Sequence, residues 1–229
     1  MNFDYLKPVD NTLVAYAKMQ TNNAFGQCIK IYASKDNFPD LTTTKIAIIG
    51  VLEGRGAVDN IGTGTTLNEL RKEIYKLFPG NWPINVADLG DIEQGNTIED
   101  TYFAITTLGN YLIKNKIIPI IIGGGQELTY ANYRAYDTLE QTVNIVTVDS
   151  KFDLGSIEDD LDSQSYLSKV VMNPPNNLFN FCNIGYQTYF NSQDEIDLLE
   201  SLYFDTVRLG EVLNKIQIVE PILRDADIV

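Results

Sequence analysis

The sequence predicts an α/β protein built on a doubly wound parallel sheet. Three observations predict it. Short apolar runs recur along the chain, at Lys45 to Val51, Ile84 to Leu89, Ile117 to Ile122, Val143 to Asp149 and Asn183 to Tyr186, each bounded by turn-forming residues. Several are apolar at nearly every position, the pattern of strands covered on both faces. Between them lie segments with a helical apolar period, so strand and helix alternate and right-handed crossovers are expected.

Each element has its own signal. Lys45 to Val51 reads as a strand leading into a glycine-rich loop, Leu52 to Gly64. Thr65 to Phe78 then sets Leu67, Leu70, Ile74, Leu77 and Phe78 on one stripe, an amphipathic helix. After the strand Ile84 to Leu89, the run Asn96 to Asp100 supplies N-cap candidates and first-turn acids for a helix reaching about Lys116, with Tyr102, Ile105, Leu108 and Leu112 inward. Ile117 to Ile122 is a strand, and a helix carrying Leu128, Ala131 and Ala135 follows its glycines. Tyr130, Tyr133 and Tyr136 read as core and interface packing. Val143 to Asp149 is the next strand. Ser156 to Asn177, with the acids Glu158, Asp159 and Asp160, reads as a long solvated excursion. Asn183 to Tyr186 is a strand, and Gln193 to Lys215 a helix through Ile196, Leu199, Tyr203 and Val207. Since strand and helix patterns run throughout, residues 1–229 are expected to form a single domain.

Composition excludes several classes of function. Seventeen Lys and Arg against 31 Asp and Glu leave a formal charge of -14. That field repels phosphate backbones and anionic lipid heads, so neither nucleic acid nor a membrane is an expected partner. There is no histidine, which removes Ser-His and Cys-His nucleophile pairs, imidazole proton shuttles and His-bearing metal sites. Cys28 and Cys182 stand alone, suit a reducing compartment, and read as packing residues. Residues Met1 to Pro8 lack the basic flank and apolar core of a signal peptide, and no apolar run approaches the roughly 18 to 20 residues of a membrane helix. A cytoplasmic location is expected.

Ligands in such sheets bind at the carboxyl ends of strands, and three of those ends carry chemistry. Gly123, Gly124 and Gly125 let the backbone turn sharply before a helix, either to meet an anion or simply to pack; no Lys or Arg follows as a P-loop requires, and Glu127 would oppose an anion. Asp149, Lys151 and Asp153 alternate, so an extended chain would point all three into one cleft, as a self-neutralising surface triad or as a functional site. The loop after Val51 carries Glu53, Arg55, Asp59 and Asn60, unusual polar specificity among close-packed glycines.

These three segments, in this order, resemble the ureohydrolase superfamily, which includes arginase, agmatinase and formimidoylglutamase. The loop Gly54 to Asn60, followed by Leu70-Arg71, is most similar to the formimidoylglutamase-like branch. Asp88-Leu89-Gly90-Asp91-Ile92 and Asn183-Ile184-Gly185-Tyr186-Gln187 resemble two further strands of that family. The resemblance spans nearly the whole chain and implies a three-layer α/β fold of the arginase type. It also implies a binuclear manganese centre that activates water for attack on a guanidinium or formimino carbon.

The family's ligands come from Gly-Gly-Asp-His, Asp-Ala-His-x-Asp and Asp-x-Asp motifs. Here Gln126 stands for the first histidine and Lys151 for the second, while the third motif would start just past Val229. The resemblance thus implies a degenerate site of Gln126, Glu127, Asp149, Lys151 and Asp153, with no catalytic residue and no metal cofactor; Asp149 and Asp153 are the ligands left if a metal binds. Lys151 is expected to pair with Asp149 or Asp153 in place of the metal. Glu53, Arg55, Asp59, Asn60, Gly124 and Gly125 are candidate ligand-binding residues for a cationic or amide-bearing small molecule.

In the family the last two strands lie mid-sheet, so the fold is expected to be C-terminally incomplete, with self-association or a protein partner covering exposed edges. The functional expectation is a pseudoenzyme of the C–N amidine hydrolases, acting by binding or assembly. The alternatives are residual metal-dependent hydrolysis of a linear amidine and an anion-binding module at Gly123 to Gly125.

Overall fold

The computed structural model describes residues 3–82, 85–139 and 141–227. The chain divides into two compact units, Met1–Ala135 and Tyr136–Val229. Among the described residues no helix is long and apolar enough to cross a membrane.

The first unit contains β1 (Leu6–Lys7), α1 (Asn11–Lys18), α2 (Phe25–Cys28), β2 (Lys30–Ile31), β3 (Ile46–Val51), α3 (Asn68–Lys76), β4 (Val86–Ile92), α4 (Ile98–Lys114), β5 (Ile118–Ile122) and α5 (Leu128–Arg134). Its sheet runs β1-β4-β3-β5, with β2 also on β4. β3 lies parallel to both β4 and β5, and only β1 is antiparallel. The chain passes from β3 outward to β4 and then crosses to β5 on the other side of β3. This reversal is a topological switch point, the place in such sheets where ligands bind. The core beneath packs Ala47, Ile49 and Leu89 against Ile105, Leu108 and Leu112 of α4. That helix starts on a Thr97–Asp100 capping box, as its sequence indicates.

α3 shows how a polar network overrides an apolar stripe. Leu67 is buried, but Leu70, Leu77 and Phe78 are exposed, and Arg71 and Tyr75 are the buried members of the helix. The reason lies in β4. Asp88, fully buried, accepts from Arg71 Nε at 2.9 Å, from Arg71 Nη2 at 3.2 Å and from Tyr75 Oη at 2.8 Å, while Asp91 accepts from Arg71 Nη1 at 2.6 Å. Burial alone would lower the guanidinium's pKa, but Asp88 and then Asp91 outweigh it and the net shift is upward. Satisfying these buried charges fixes which face of α3 turns inward. Ile84, where this strand is expected to begin, lies outside the described residues, and β4 spans Val86–Ile92.

The second unit contains β6 (Val143–Val148), α6 (Tyr166–Met172), β7 (Leu178–Tyr186), α7 (Gln193–Ser201), β8 (Asp205–Arg208), α8 (Leu209–Asn214) and α9 (Val219–Ala226). Its three strands are parallel in the order β6-β7-β8. Two sequence expectations are corrected here. The helix expected over Gln193 to Lys215 ends at Ser201, because Tyr203 takes a left-handed φ of 58° and the chain then enters β8; Val207 is buried in that strand, while Tyr203 is exposed. The excursion Ser156 to Asn177 holds α6, whose Tyr166, Leu167 and Val170 are buried. Cys182 is buried as expected, but Cys28 is exposed at the end of α2.

Candidate functional site

The loops leaving β3 and β5 at the switch point carry most of the residues singled out in the first unit. Glu53, one step beyond the loop's first residue, is fully buried. Its carboxylate accepts from Arg55 N at 2.9 Å, Arg55 Nε at 3.0 Å, Arg55 Nη2 at 2.6 Å, Gln94 Nε2 at 3.1 Å and Thr101 Oγ1 at 2.9 Å. Burial would raise its pKa, but these donors, led by Arg55, hold it down at about 2. Arg55 spends its remaining N–H groups on the carbonyls of Gly95, Asn96 and Thr97 at 3.0 to 3.2 Å. The pair therefore rivets the loop after β3 to the turn that starts α4.

The glycine turn after β5 docks against the same loop. Gly123 and Gly124 both adopt left-handed φ, 89° and 71°, which an L side chain resists, and Gly124 N donates to Thr63 O at 3.3 Å. Glu127 is fully buried. A Cβ at Gly56 would stand 2.8 Å from its carboxyl carbon, so the β3 loop can lie this close only as glycine. Tyr102 is driven up in pKa by burial and then by Glu127 and Glu53. Gln126 is exposed, with its Nε2 3.4 Å from Thr129 Oγ1. A cleft of about 270 Å³ opens beside it, lined by Gly125, Gln126, Thr129 and Asn132 among others. Asp59 and Asn60 stay on the exposed rim of the loop, Asp59 with a left-handed φ of 57°. Glu53, Gly56, Gly124, Gly125 and Glu127 thus pack together where the loops leaving β3 and β5 meet, while Gln126 lines the cleft beside them and Arg55 faces the turn before α4.

The second unit places Asp149, Lys151 and Asp153 at the carboxyl end of β6, but not as an alternating strand. Asp149 Oδ1 accepts from Lys151 N at 3.1 Å, an Asx turn, and Asp153 takes a left-handed φ of 56°. The expected Lys151 pairing is corrected accordingly: its side chain is exposed, and among the described residues it makes no ion pair within 4 Å of Asp149 or Asp153. Asp153 is 8% exposed. Burial, followed by the Asp149 carboxylate, pushes its pKa up to about 7 against a weaker pull from Lys151.

The segment is held instead by two asparagines that sequence reasoning missed. Asn183 Nδ2 donates to Lys151 O at 3.1 Å and to Thr147 Oγ1 at 3.0 Å. Asn191 accepts from Phe152 N at 2.8 Å and donates to Ser150 O at 2.9 Å. Asn183 did carry a signal, a polar residue within an otherwise apolar strand. Asn191 carried none. Phe152 seals the turn against Tyr186, with ring centroids 4.9 Å apart.

The family model for the arginase family matches residues 45–227. Over 126 residues the chain is 26% identical to the formimidoylglutamase of Streptococcus gordonii, covering 52% of this chain and 38% of that protein. Formiminoglutamase from Trypanosoma cruzi, solved with manganese(II), aligns with a TM-score of 0.67 at 19% identity, over 80% of this chain and 65% of its own. Formimidoylglutamase from Bacillus subtilis gives a TM-score of 0.65 at 17% identity, over 82% and 64%. A hypothetical agmatinase from Burkholderia thailandensis gives 0.64 at 15%, over 83% and 63%. The chain spans 38% of the curated relative and about two thirds of each of these solved structures. Its parallel strands and packed helices are of the arginase type.

Proposed function

Because the chain belongs to the arginase family, we propose that it keeps the family's fold as a binding or assembly protein and lacks two-manganese hydrolysis. Lys151 carries this reading. A divalent ion needs a lone pair from each residue that holds it, and an ammonium offers none. The position between Asp149 and Asp153 is therefore closed to a metal. Gln126, where the resemblance implies the other histidine, supplies at best a neutral amide oxygen. Asp153, with a pKa raised to about 7, is partly protonated near neutrality, which weakens it further as a ligand. This donor set does not fit a pair of manganese ions. The cleft beside β5 offers amide and hydroxyl groups from Gln126, Thr129 and Asn132, a lining suited to an amide-bearing small ligand.

Calorimetric titration of the purified protein with manganese chloride tests the reading, together with assays on formimidoylglutamate, agmatine and arginine. No saturable uptake and no product are expected. Stoichiometric manganese binding with release of formamide or urea would overturn it. The likeness to a formimidoylglutamase over half of the chain favours a second reading, residual hydrolysis at a carboxylate-only site. Turnover that appears only with added Mg²⁺ or Mn²⁺ and disappears in Asp149→Asn would establish that second reading.

A further inference from the structure

The second unit holds a cleft of about 300 Å³ at the carboxyl ends of β7 and β8. That end of a parallel sheet is where ligands bind, and the volume suits a small one. Its lining runs from Tyr186 to Leu213, over the end of β7, the loop after it, the end of β8 and α8, so this unit alone makes the cleft. The register of β7 and β8 shifts between Ile184 and Tyr186, where Gly185 takes a left-handed φ of 102°. Such a bulge re-aims the side chain beside it, and here it sets Tyr186 opposite Arg208. Tyr186 is 8% exposed, with its ring against Phe152. Burial raises the pKa of its hydroxyl and the Arg208 charge pulls against that rise, so the guanidinium stands near the polar end of the ring. Tyr189, Leu209 and Leu213 add an apolar wall, with Tyr189 96% exposed and Leu213 78%.

Arg208 makes the cleft selective. Arg55, Arg71 and Arg224 each meet a carboxylate at 2.6 to 3.0 Å. For Arg208 the nearest carboxylate among the described residues is Glu211 Oε1, 3.9 Å from Nε and beyond hydrogen-bonding range. Both side chains are about half exposed, at 54% and 56%, and such a contact holds an arginine weakly. Its fork of N–H donors can therefore turn to a planar carboxylate and grip it at two points. A dianion fits less well. Glu211 and Glu200 both act on the Tyr186 hydroxyl, and the chain's charge of -14 adds to their field. Arg208 matches one negative charge, and a second meets repulsion. A cation would face Arg208 itself.

We infer that the cleft between the end of β7 and α8 binds a small organic monocarboxylate, its carboxylate held by Arg208 and its apolar body laid against Tyr189, Leu209 and Leu213. The site is separate from the metal question, since none of its lining residues belongs to the Asp149–Asp153 turn or to the cleft beside Gln126.

The test is an NMR titration of the whole ¹⁵N-labelled chain with sodium phenylacetate at pH 8 and constant ionic strength. The Gly210 and Leu213 amides, both at the cleft, should shift together and saturate with a Kd of about 1 mM. Phenylacetamide keeps the shape without the charge, and phenylphosphonate adds a second charge; each should bind at least about fivefold more weakly. Arg208→Gln, at a half-exposed position, should weaken phenylacetate at least about fivefold while the melting curve stays that of the wild type. Glu211→Gln should tighten it about threefold by removing the competing acid, and carries the test alone should Arg208→Gln melt early. Four results would overturn the inference: no saturable shift with tens of millimolar phenylacetate, phenylacetamide binding as tightly, phenylphosphonate binding more tightly, or an affinity that neither variant moves.

Discussion

Asp153→Asn should stabilise the second unit, and by more as the pH rises. Asp153 is 8% exposed, and burial, then Asp149, raise its pKa from 3.8 to about 7. A carboxyl whose folded pKa lies above its unfolded value holds its proton more tightly in the native state. Stability is therefore lost as pH climbs through the window from 3.8 to about 7 and stays lost above it. A shift of about three pK units corresponds to a ceiling of about 4 kcal/mol above neutrality, of which about 2 kcal/mol is already present at pH 5. Asn cannot ionise, matches the shape, and is among the few residues that accept the left-handed backbone found here. Urea titrations at pH 5 and pH 8, followed by far-UV circular dichroism, should show the variant's advantage widening by about 2 to 3 kcal/mol between them. Trp82 is the chain's single tryptophan and sits in the first unit, so its fluorescence reports separately on that unit. A pH-independent gap would refute the reasoning, as would a variant less stable than wild type at pH 8. The second outcome would mean that Asp153 is ionised and held by a cation.

Two other buried charges give predictions of opposite sense. Glu53→Gln should cost about 3 kcal/mol at pH 7, because a carboxylate held at about 2 rather than 4.5 contributes stability above pH 4.5 that is lost as pH falls toward 2; denaturation at pH 7 and pH 3 should show the penalty shrinking to about 1 kcal/mol. Arg71→Met should cost about 3 to 5 kcal/mol by stranding Asp88 and Asp91, read from Trp82 fluorescence in urea. Adding Asp88→Asn to Arg71→Met should recover part of that loss.

Much of the fold was legible because it rests on short-range pattern. Apolar runs with no polar side to spare mark buried parallel strands, and the capping box at Thr97 fixes where α4 starts. What escaped notice depended on partners far along the chain. The face of α3 is set by Asp88, 17 residues from Arg71, so a stripe of leucines pointed the wrong way. β8 is four residues long, and Val207 happens to keep the helical phase of Ile196, Leu199 and Tyr203, so the periodicity ran through a strand. The acids of Glu158 to Asp160 masked the apolar face of α6. At the site the residue types were readable but their geometry was not. Alternation presumes an extended chain, whereas Asp149 folds the backbone over itself and Asp153 turns it left-handed.

The two units differ in how they neutralise a buried acid, and this bears on what the chain can do. In the first, Glu53 and Asp88 each face an arginine at hydrogen-bonding distance, and the guanidinium supplies the compensating charge within the frame. In the second, Asp153 has the Lys151 charge nearby but no contact with it, so burial prevails and the proton stays until about pH 7. A cation bound there would remove the penalty. A covalently attached ammonium that turns instead to solvent does not. Metal binding would have to displace a proton and also overcome the field of Lys151; a histidine at that position would remove the second of these costs and add a lone pair. A single replacement, Lys151→His, should therefore lower the Asp153 pKa cost only when Mn²⁺ is present. Measured as a manganese-dependent rise in melting temperature at pH 8, absent in the wild type, it isolates the lysine as the residue that closes the site. A wild-type protein already stabilised by Mn²⁺ to the same degree would remove Lys151 from that role.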